Sequence, residues 1–201
     1  WIAHIKTLGG ERKYVEPAKG TVNPRVFIDR LAKKMPANVT VVADVGQNQI
    51  WTCTEYKFRK EGRLLTSGGM GTMGYSVPAA IGAKMADNSR ATVAICGDGA
   101  FQMSFMELAT AVQFGVDIKV VVMTNNRLGM VRELQTNGYH DRQTAVFLDG
   151  SPDFIKLAEA YGIPAMRVYD DDTMEKGVEM LAEHKGICLV EVVVDKDMPT
   201  L

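Results

Sequence analysis

The sequence has neither a long apolar run nor an excess of charge of one sign. No stretch of 18 apolar residues occurs, so no membrane-spanning helix is predicted. Lys and Arg number 23 against 24 Asp and Glu, and a net charge of −1 gives no basis for binding nucleic acid or an anionic membrane. Residues 1–6 lack the charged-then-apolar order of a signal peptide. We therefore expect a cytoplasmic globular protein, and a first residue other than Met leads us to expect part of a longer chain.

Cysteine is scarce, and its positions exclude two classes of small scaffold. Cys53, Cys96 and Cys188 are far apart and odd in number, so they form neither a disulfide framework nor a zinc-binding pattern. Reduced thiols are expected in a cytosolic protein. With 201 residues, the chain is long enough for one sizeable domain.

Apolar runs that predict strands alternate with patterns typical of helices. The strand candidates are residues 39–43, 63–66, 91–96, 118–123, 165–168 and 187–194, and the helical patterns are residues 24–35, 75–86, 104–114, 152–161 and 173–184. The strong runs are rich in Val and Ile without polar alternation, as in strands buried on both faces of a parallel sheet. We predict an α/β fold, a doubly wound, mostly parallel six-stranded sheet with helices on both faces.

The first 22 residues differ from this pattern. They are mixed and polar and contain Gly9, Gly10, Pro17 and Gly20, which predicts a linker or arm from an upstream domain. Residues 23–201 are predicted to form one ligand-binding domain, because the strand and helix signals run through them without a break.

Three loops of small or polar residues follow three of the predicted strands. They cover residues 44–48 (DVGQN), 97–100 (GDGA) and 124–129 (TNNRLG). The carboxyl ends of parallel strands meet at one edge of a sheet, which is where ligands bind in such folds. We therefore expect the three loops to converge on one ligand.

Two of these loops carry oxygen donors suited to magnesium. Asp98 lies between glycines that let the backbone approach a ligand closely, and Asn125 offers an amide oxygen. Mg²⁺ prefers six oxygens, so this pair fits an ion whose other ligands are phosphate oxygens and water. Helix N-termini could bind the remaining phosphate oxygens. The alternative is a tight turn at Asp98 and a helix cap at Asn125, but their separation after two buried strands favours the metal site.

The same loops resemble a known family. Residues 98–126 resemble the thiamine-diphosphate (ThDP) motif, in which Gly-Asp-Gly is followed at a distance by Asn-Asn. The resemblance to acetolactate synthase large subunits extends to residues 44–47 (DVGQ), 66–74 (TSGGMGTMG), 78–84 (PAAIGAK), 128–132 (LGMVR), 152–154 (PDF) and 157–162 (LAEAYG). It covers the chain from about residue 22 and implies the C-terminal, diphosphate-binding domain of a ThDP-dependent enzyme.

The resemblance implies a specific set of metal ligands. They are the side chains of Asp98 and Asn125 and the backbone carbonyl of Arg127. An ungapped alignment on residues 128–131 places Asn125 on the second Asn of the family motif and keeps 27 positions between the two metal side chains (125 − 98). Taking Asn126 as that second Asn would shift every assignment by one residue.

The resemblance also implies residues that bind and bend the cofactor. Met73 would lie under the bend of ThDP, with its N–H directed at the pyrimidine ring, and the Gly71 carbonyl would accept from the 4′-amino group. An isolated Met would instead be assigned to the core. The cofactor-binding residues implied are Val45, Gly46, Gln47, Asn48, Gly71, Met73, Gly97, Asp98, Gly99, Ala100, Asn125, Arg127, Leu128, Gly129, Met130 and Val131.

The activity that the resemblance implies is carboligation by a transferase of branched-chain amino-acid biosynthesis. Such an enzyme decarboxylates a 2-ketoacid such as pyruvate and joins the product to a second ketoacid, giving 2-acetolactate. The family supplies a glutamate from a pyrimidine-binding domain, and FAD, where present, is bound mostly by a middle domain. Neither domain is recognised here, so we expect these 201 residues to be inactive alone and to form a homodimer or larger assembly.

Two departures leave other activities open. Leu134 stands where the synthases commonly have Trp, and Asn48 where His is usual. The alternatives are a pyruvate oxidase, glyoxylate carboligase or sulfoacetaldehyde acetyltransferase type of ThDP enzyme, or a non-catalytic module that binds a phosphorylated ligand.

Overall fold

Six strands form the centre of the molecule, and helices pack against both faces of the sheet. The computed structural model describes residues 1–8 and 14–200. The strands are β1 (Thr40–Ala43), β2 (Arg63–Thr66), β3 (Thr92–Gly97), β4 (Lys119–Thr124), β5 (Ala165–Val168) and β6 (Cys188–Val193). The helices are α1 (Ile2–Leu8), α2 (Pro24–Lys34), α3 (Gln47–Glu55), α4 (Ser76–Ala86), α5 (Asp98–Phe101), α6 (Leu108–Gln113), α7 (Gly129–Gly138), α8 (Phe154–Ala160) and α9 (Asp171–Glu183), with a 3-10 turn at Phe105–Glu107.

The strand order creates a crevice between β1 and β3. All neighbours in the order β2-β1-β3-β4-β6-β5 are parallel. The chain leaves β1 toward β2 on one side, then crosses back to β3 on the other side and continues to β4. Ligands of open α/β sheets bind beyond the carboxyl ends of the strands at such a switch point.

The four inner strands, β1, β3, β4 and β6, are buried on both faces, and the parallel sheet between helices confirms the predicted α/β class. Side chains that alternate along each strand enter two separate cores. One core joins the sheet to α2, α3 and α9 through residues such as Phe27, Trp51 and Leu181. The other joins it to α4, α6 and α8 through Ile81 and Phe154, among others. Strands covered in this way need apolar residues at every position, which explains the unbroken Val-rich runs.

Local signals placed five of the described helices correctly, namely α2, α4, α6, α8 and α9, and missed α1, α3, α5 and α7. Asn23 caps α2 by accepting hydrogen bonds from the N–H groups of Arg25 and Val26, with Pro24 as the first helical residue. No helix was predicted at α3 or α7. Their sequences, QNQIWTCTE and GMVRELQTNG, mix polar, β-branched and glycine residues that favour helix only weakly. Packing against the sheet supplies what local propensity lacks in α3. Contacts of Arg132 and Glu133 with the segment after β6 hold α7.

The residues before α2 contain one further helix, α1, and a segment that lies against the domain. The Tyr14 hydroxyl donates to Glu55 at 3.2 Å, and the Val22 N–H donates to the Val193 carbonyl at 2.9 Å. Gly9 and Gly10, on which the linker prediction partly rests, lie outside the described residues. The division at residue 22 stays a prediction. Among the described helices, none has the length and apolar character needed to cross a membrane.

Candidate functional site

A pocket lies at the carboxyl ends of β1, β3 and β4, where the three loops converge. Its open space is about 580 Å³, including solvent at the mouth. It is lined by Val45, Gly46, Gln47, Asn48, Trp51, Met73, Gly97, Asp98, Gly99, Ala100, Met123, Asn125, Arg127, Leu128, Gly129, Met130, Val131 and Val194. Of the residues implied to bind the cofactor, all except Gly71 belong to this lining.

Asp98 is a carboxylate held in the floor of the pocket by backbone donors. Its Oδ1 accepts from Gly99 N at 2.8 Å, and its Oδ2 accepts from Asn125 N at 3.2 Å and Asn126 N at 2.6 Å. Burial raises the pKa of Asp98 to about 6, although the three N–H groups oppose this by stabilising the charge. Among the described residues no cationic side chain is bonded to Asp98, and a buried carboxylate of this kind is suited to a metal ion.

The two asparagines of the β4 loop face different surroundings. Asn125 lines the pocket, and its Oδ1 accepts from Arg127 N at 3.1 Å, which leaves the oxygen a second lone pair. Asn126 is exposed, lies outside the pocket lining and has a positive φ of 55°. This placement supports the ungapped alignment, in which Asn125 is the ligand.

Arg127 lines the pocket, and its guanidinium contacts residues outside the lining. The guanidinium pairs with Asp149 at 2.9 Å and lies over the ring of Phe147. Within the described residues, no hydrogen bond reaches the Arg127 carbonyl oxygen, and no group of three or more His, Cys, Asp or Glu could hold a metal. The oxygens at Asp98, Asn125 and Arg127 would therefore need ligand oxygens to complete a magnesium site.

Two helices begin at the pocket. The first residues of α3 and α7 are lining residues, and neither helix has a side-chain N-cap hydrogen bond. Gly46 precedes α3 with φ 145°, a conformation that L side chains rarely adopt. Uncapped N–H groups and the positive end of the helix dipole favour an anion such as a phosphate group.

Met73 and Gly71 have different positions in the loop after β2. Met73 lines the pocket, and its methyl carbon is 3.4 Å from where a Cβ on Gly99 would lie. Gly71 is exposed, with φ 63°, and lies outside the lining. Met70, in the same loop, is 91% exposed, whereas Met73 and Met130 are partly buried.

Asn48 links the two strands at the switch point. Its Nδ2 donates to the Asp44 carbonyl at 2.9 Å and to the Ile95 carbonyl at 3.2 Å. Both amide hydrogens are therefore used within the protein, and only Oδ1 is left for other contacts. Its role in this chain is to hold the ends of β1 and β3 together.

Some residues of the site were not identified from the sequence. Trp51, Met123 and Val194 complete the lining, but each lies in an apolar context that gives no sign of a ligand. Asp44, within the DVGQ motif, is fully buried and accepts from the N–H groups of Val45, Gly74 and Ser76. It fixes the loop that carries Met73.

The fold and the site define a doubly wound domain with a pocket at the switch point of its parallel sheet. Residues 44–192 match the family described as thiamine pyrophosphate enzyme, C-terminal TPP binding domain. The chain belongs to this family, and the pocket is made from residues of the matched region together with Val194.

Similar proteins carry the name acetolactate synthase. The chain is 39% identical to the mitochondrial catalytic subunit of Aspergillus candidus over 90% of its length and 38% identical to the large subunit of Lactococcus lactis over 90%. It is 33% identical to the isozyme 2 large subunit of Escherichia coli over 98%. The matches cover 26%, 31% and 36% of these relatives, so the chain spans about a quarter to a third of their length.

Proposed function

We propose that this chain binds the diphosphate of ThDP through Mg²⁺ in a carboligase of the acetolactate synthase type. The observation that carries the proposal is the buried Asp98 carboxylate in one pocket with Asn125 and Arg127, where two helices without side-chain N-caps begin. These are three hard oxygen donors, fewer than Mg²⁺ requires. Two phosphate oxygens and a water would complete the coordination.

The residues of the pocket fit the remainder of the cofactor. Met73 is an apolar side chain that lines the pocket opposite Gly99, which supports the proposal that it lies under a bent thiazolium and pyrimidine. ThDP, when bound, supplies the electron sink for decarboxylation of a 2-ketoacid. The chain supplies the metal site, the support under the bend and the apolar walls of the pocket. Gly71 stays a prediction as the acceptor of the 4′-amino group.

The activity of the whole protein is proposed as conversion of pyruvate to 2-acetolactate in branched-chain amino-acid biosynthesis. Support comes from the relatives, which are named as acetolactate synthase subunits. The missing contacts to the pyrimidine would come from a pyrimidine-binding domain, and any FAD from a middle domain, both outside these residues. Met70 and other exposed apolar side chains suit burial against such a domain or in a homodimer. A cytoplasmic location stays a prediction, since relatives named as mitochondrial exist.

The substrate assignment can be tested on the full-length protein. With pyruvate, ThDP and Mg²⁺, the expected products are 2-acetolactate and CO₂ in a 1:1 ratio. Glyoxylate, sulfoacetaldehyde with phosphate, and pyruvate with oxygen are offered in parallel to test the three alternative activities. Faster turnover of any of these would replace the acetolactate assignment while leaving the cofactor assignment intact.

The metal ligands can be tested on the chain itself. We expect Asn125→Ala to weaken Mg²⁺-dependent ThDP binding at least tenfold, since an oxygen ligand is lost. The matched control is Asn126→Gly, which tolerates the positive φ and should leave binding within about threefold of wild type. Titration calorimetry compares the two. An equal loss in both variants, or a larger loss at Asn126, would show that the alignment of the loop is wrong.

A further inference from the structure

Gln47 connects the metal-site loop to a segment that returns after β6. Its Oε1 accepts from Asn125 Nδ2 at 3.2 Å. Its Nε2 faces the Met198 carbonyl at 3.0 Å, Thr200 Oγ1 at 3.1 Å and Glu133 Oε2 at 3.2 Å. We propose that Gln47 is a positioning residue, held by these three partners, that orients the Asn125 side chain for metal binding.

The polarity of the network determines which way each amide points. The Met198 carbonyl and the Glu133 carboxylate can only accept hydrogen bonds, so the Gln47 nitrogen must face them. The Gln47 oxygen then faces Asn125, whose nitrogen must donate to it. The Asn125 oxygen is left on the opposite side, where the N–H of Arg127 also requires an acceptor. Mg²⁺ binds oxygen and not an amide nitrogen, so this orientation is the one that the metal needs.

The partners of Gln47 are themselves fixed. Glu133, on α7, accepts from Thr200 N at 3.0 Å and from the Thr200 hydroxyl. Trp51 Nε1 donates to the Pro199 carbonyl at 3.1 Å. Met198 and Thr200 are buried. Contacts within the protein therefore hold the segment in place, and these contacts set the orientation of Gln47.

The start of α7 leaves room for this contact only because residue 129 is glycine. A Cβ on Gly129 would collide with the Gln47 carboxamide and come within 3.2 Å of Asn125 Nδ2. The Gln47–Asn125 hydrogen bond thus passes directly over the helix start. This close packing leaves the two amides little freedom to rotate.

The inference rests on the proposed function, in which Asn125 is a metal ligand. The test variant is Gln47→Met, which keeps the length of the side chain and removes its hydrogen bonds. We expect the Mg²⁺ concentration for half-maximal ThDP binding to rise about tenfold, the lower end of the effect of losing an outer-shell partner. The control is Gln49→Met on the same helix, whose side chain bonds to Thr66 Oγ1 away from the pocket. It should match wild type.

A double variant separates positioning from a general loss of structure. If Gln47 acts through Asn125, Gln47→Met combined with Asn125→Ala should bind no more weakly than Asn125→Ala alone. A residue that contacts ThDP directly, or that only stabilises the fold, would give losses that multiply. Thermal unfolding of each variant identifies any that is not folded at the assay temperature, and Gln47→Ala serves as a second variant.

The outcomes distinguish this inference from the proposed function. Wild-type binding that needs no Mg²⁺ would refute the proposed function. A second result would refute the inference alone. In it, wild-type binding needs Mg²⁺ and is weakened by Asn125→Ala, but folded Gln47→Met or Gln47→Ala keeps the wild-type Mg²⁺ requirement. Multiplying losses in the double variant would refute it equally.

Discussion

At the two ends of the sheet, buried side chains of opposite charge form hydrogen bonds with the backbone. At the amino ends, three buried cations donate hydrogen bonds to backbone carbonyls. Lys119 donates to residues 184 and 186, Lys84 to residues 88 and 90, and Arg90 to residues 39 and 61. At the carboxyl ends, Asp44 and Asp98 accept from backbone N–H groups.

The two ends of the sheet differ in whether they contribute to stability or to ligand binding. The amino end is closed, because the cations reach carbonyls on several connecting segments. The carboxyl end is open, and its two carboxylates differ. Asp44 lies inside the protein and ties one loop to another, whereas Asp98 lines a pocket. The amino end should therefore contribute to stability alone, and the carboxyl end should divide the two tasks between Asp44 and Asp98.

The largest expected effect concerns turnover. With ThDP, Mg²⁺ and pyruvate, these 201 residues alone should release no CO₂ above background. Asp98 is the one carboxylic acid in the described pocket lining, and the pocket mouth admits water. Detection of ¹⁴CO₂ from labelled pyruvate measures this, with the full-length protein as the positive control. Sustained release by the short chain would show that it supplies its own acid.

The next effect separates the two carboxylates. Asp98→Ala should weaken Mg²⁺-dependent ThDP binding by more than roughly 100-fold, beyond the effect of losing an outer-shell partner. Asp44→Ala should lower the free energy of unfolding by about 1–3 kcal/mol or more, because three N–H groups lose a buried acceptor. Calorimetry and urea unfolding measure the two quantities. A pair of variants with the same profile would remove the distinction between Asp44 and Asp98.

A smaller effect is expected at the amino end. Lys119→Met should lower the free energy of unfolding by about 1–3 kcal/mol, since the carbonyls of His184 and Gly186 lose their buried donor. The Mg²⁺ requirement for ThDP binding should not change. Urea unfolding of this variant is compared with Lys33→Met, whose exposed i,i+4 pair with Asp29 should contribute little. A changed Mg²⁺ requirement would mean that the two ends of the sheet are coupled.

The smallest effect is a difference in thiol reactivity between the two ends. Cys96 lies near the carboxyl end of β3, and Cys188 begins β6 at the amino end. Burial raises the pKa of Cys188 to about 11 and the pKa of Cys96 well above its usual range. Both are therefore neutral thiols at pH 8, and labelling requires local opening.

Binding should protect only one of these thiols. In a Cys53→Ser background, Mg²⁺ and ThDP should slow the labelling of Cys96 and leave that of Cys188 unchanged, because the ligand closes only the carboxyl end. Mass spectrometry of alkylated peptides gives both rates. Equal protection of the two would indicate a global gain in stability in place of a local one.

Much of the fold and the pocket could be predicted because the signals are local. The runs of Val and Ile identify strands buried on both faces, and the Gly-Asp-Gly loop directly follows one of them. The helices α3 and α7 were missed because contacts distant in sequence stabilise them: α3 packs on the sheet, and α7 makes polar contacts with the segment after β6. Gln47 was identified only as a pocket residue, since its partners Met198 and Thr200 lie more than 150 positions away. No spacing rule predicts a contact at that separation.

We propose above all that Asp98 holds ThDP through a metal ion. Calorimetry of the wild-type chain with ThDP, in Mg²⁺ and separately in excess chelator, tests it most directly. Saturable binding in Mg²⁺ that disappears in chelator and returns when Mg²⁺ is restored is the result that this assignment predicts. Equally tight binding of ThDP in excess chelator would contradict it.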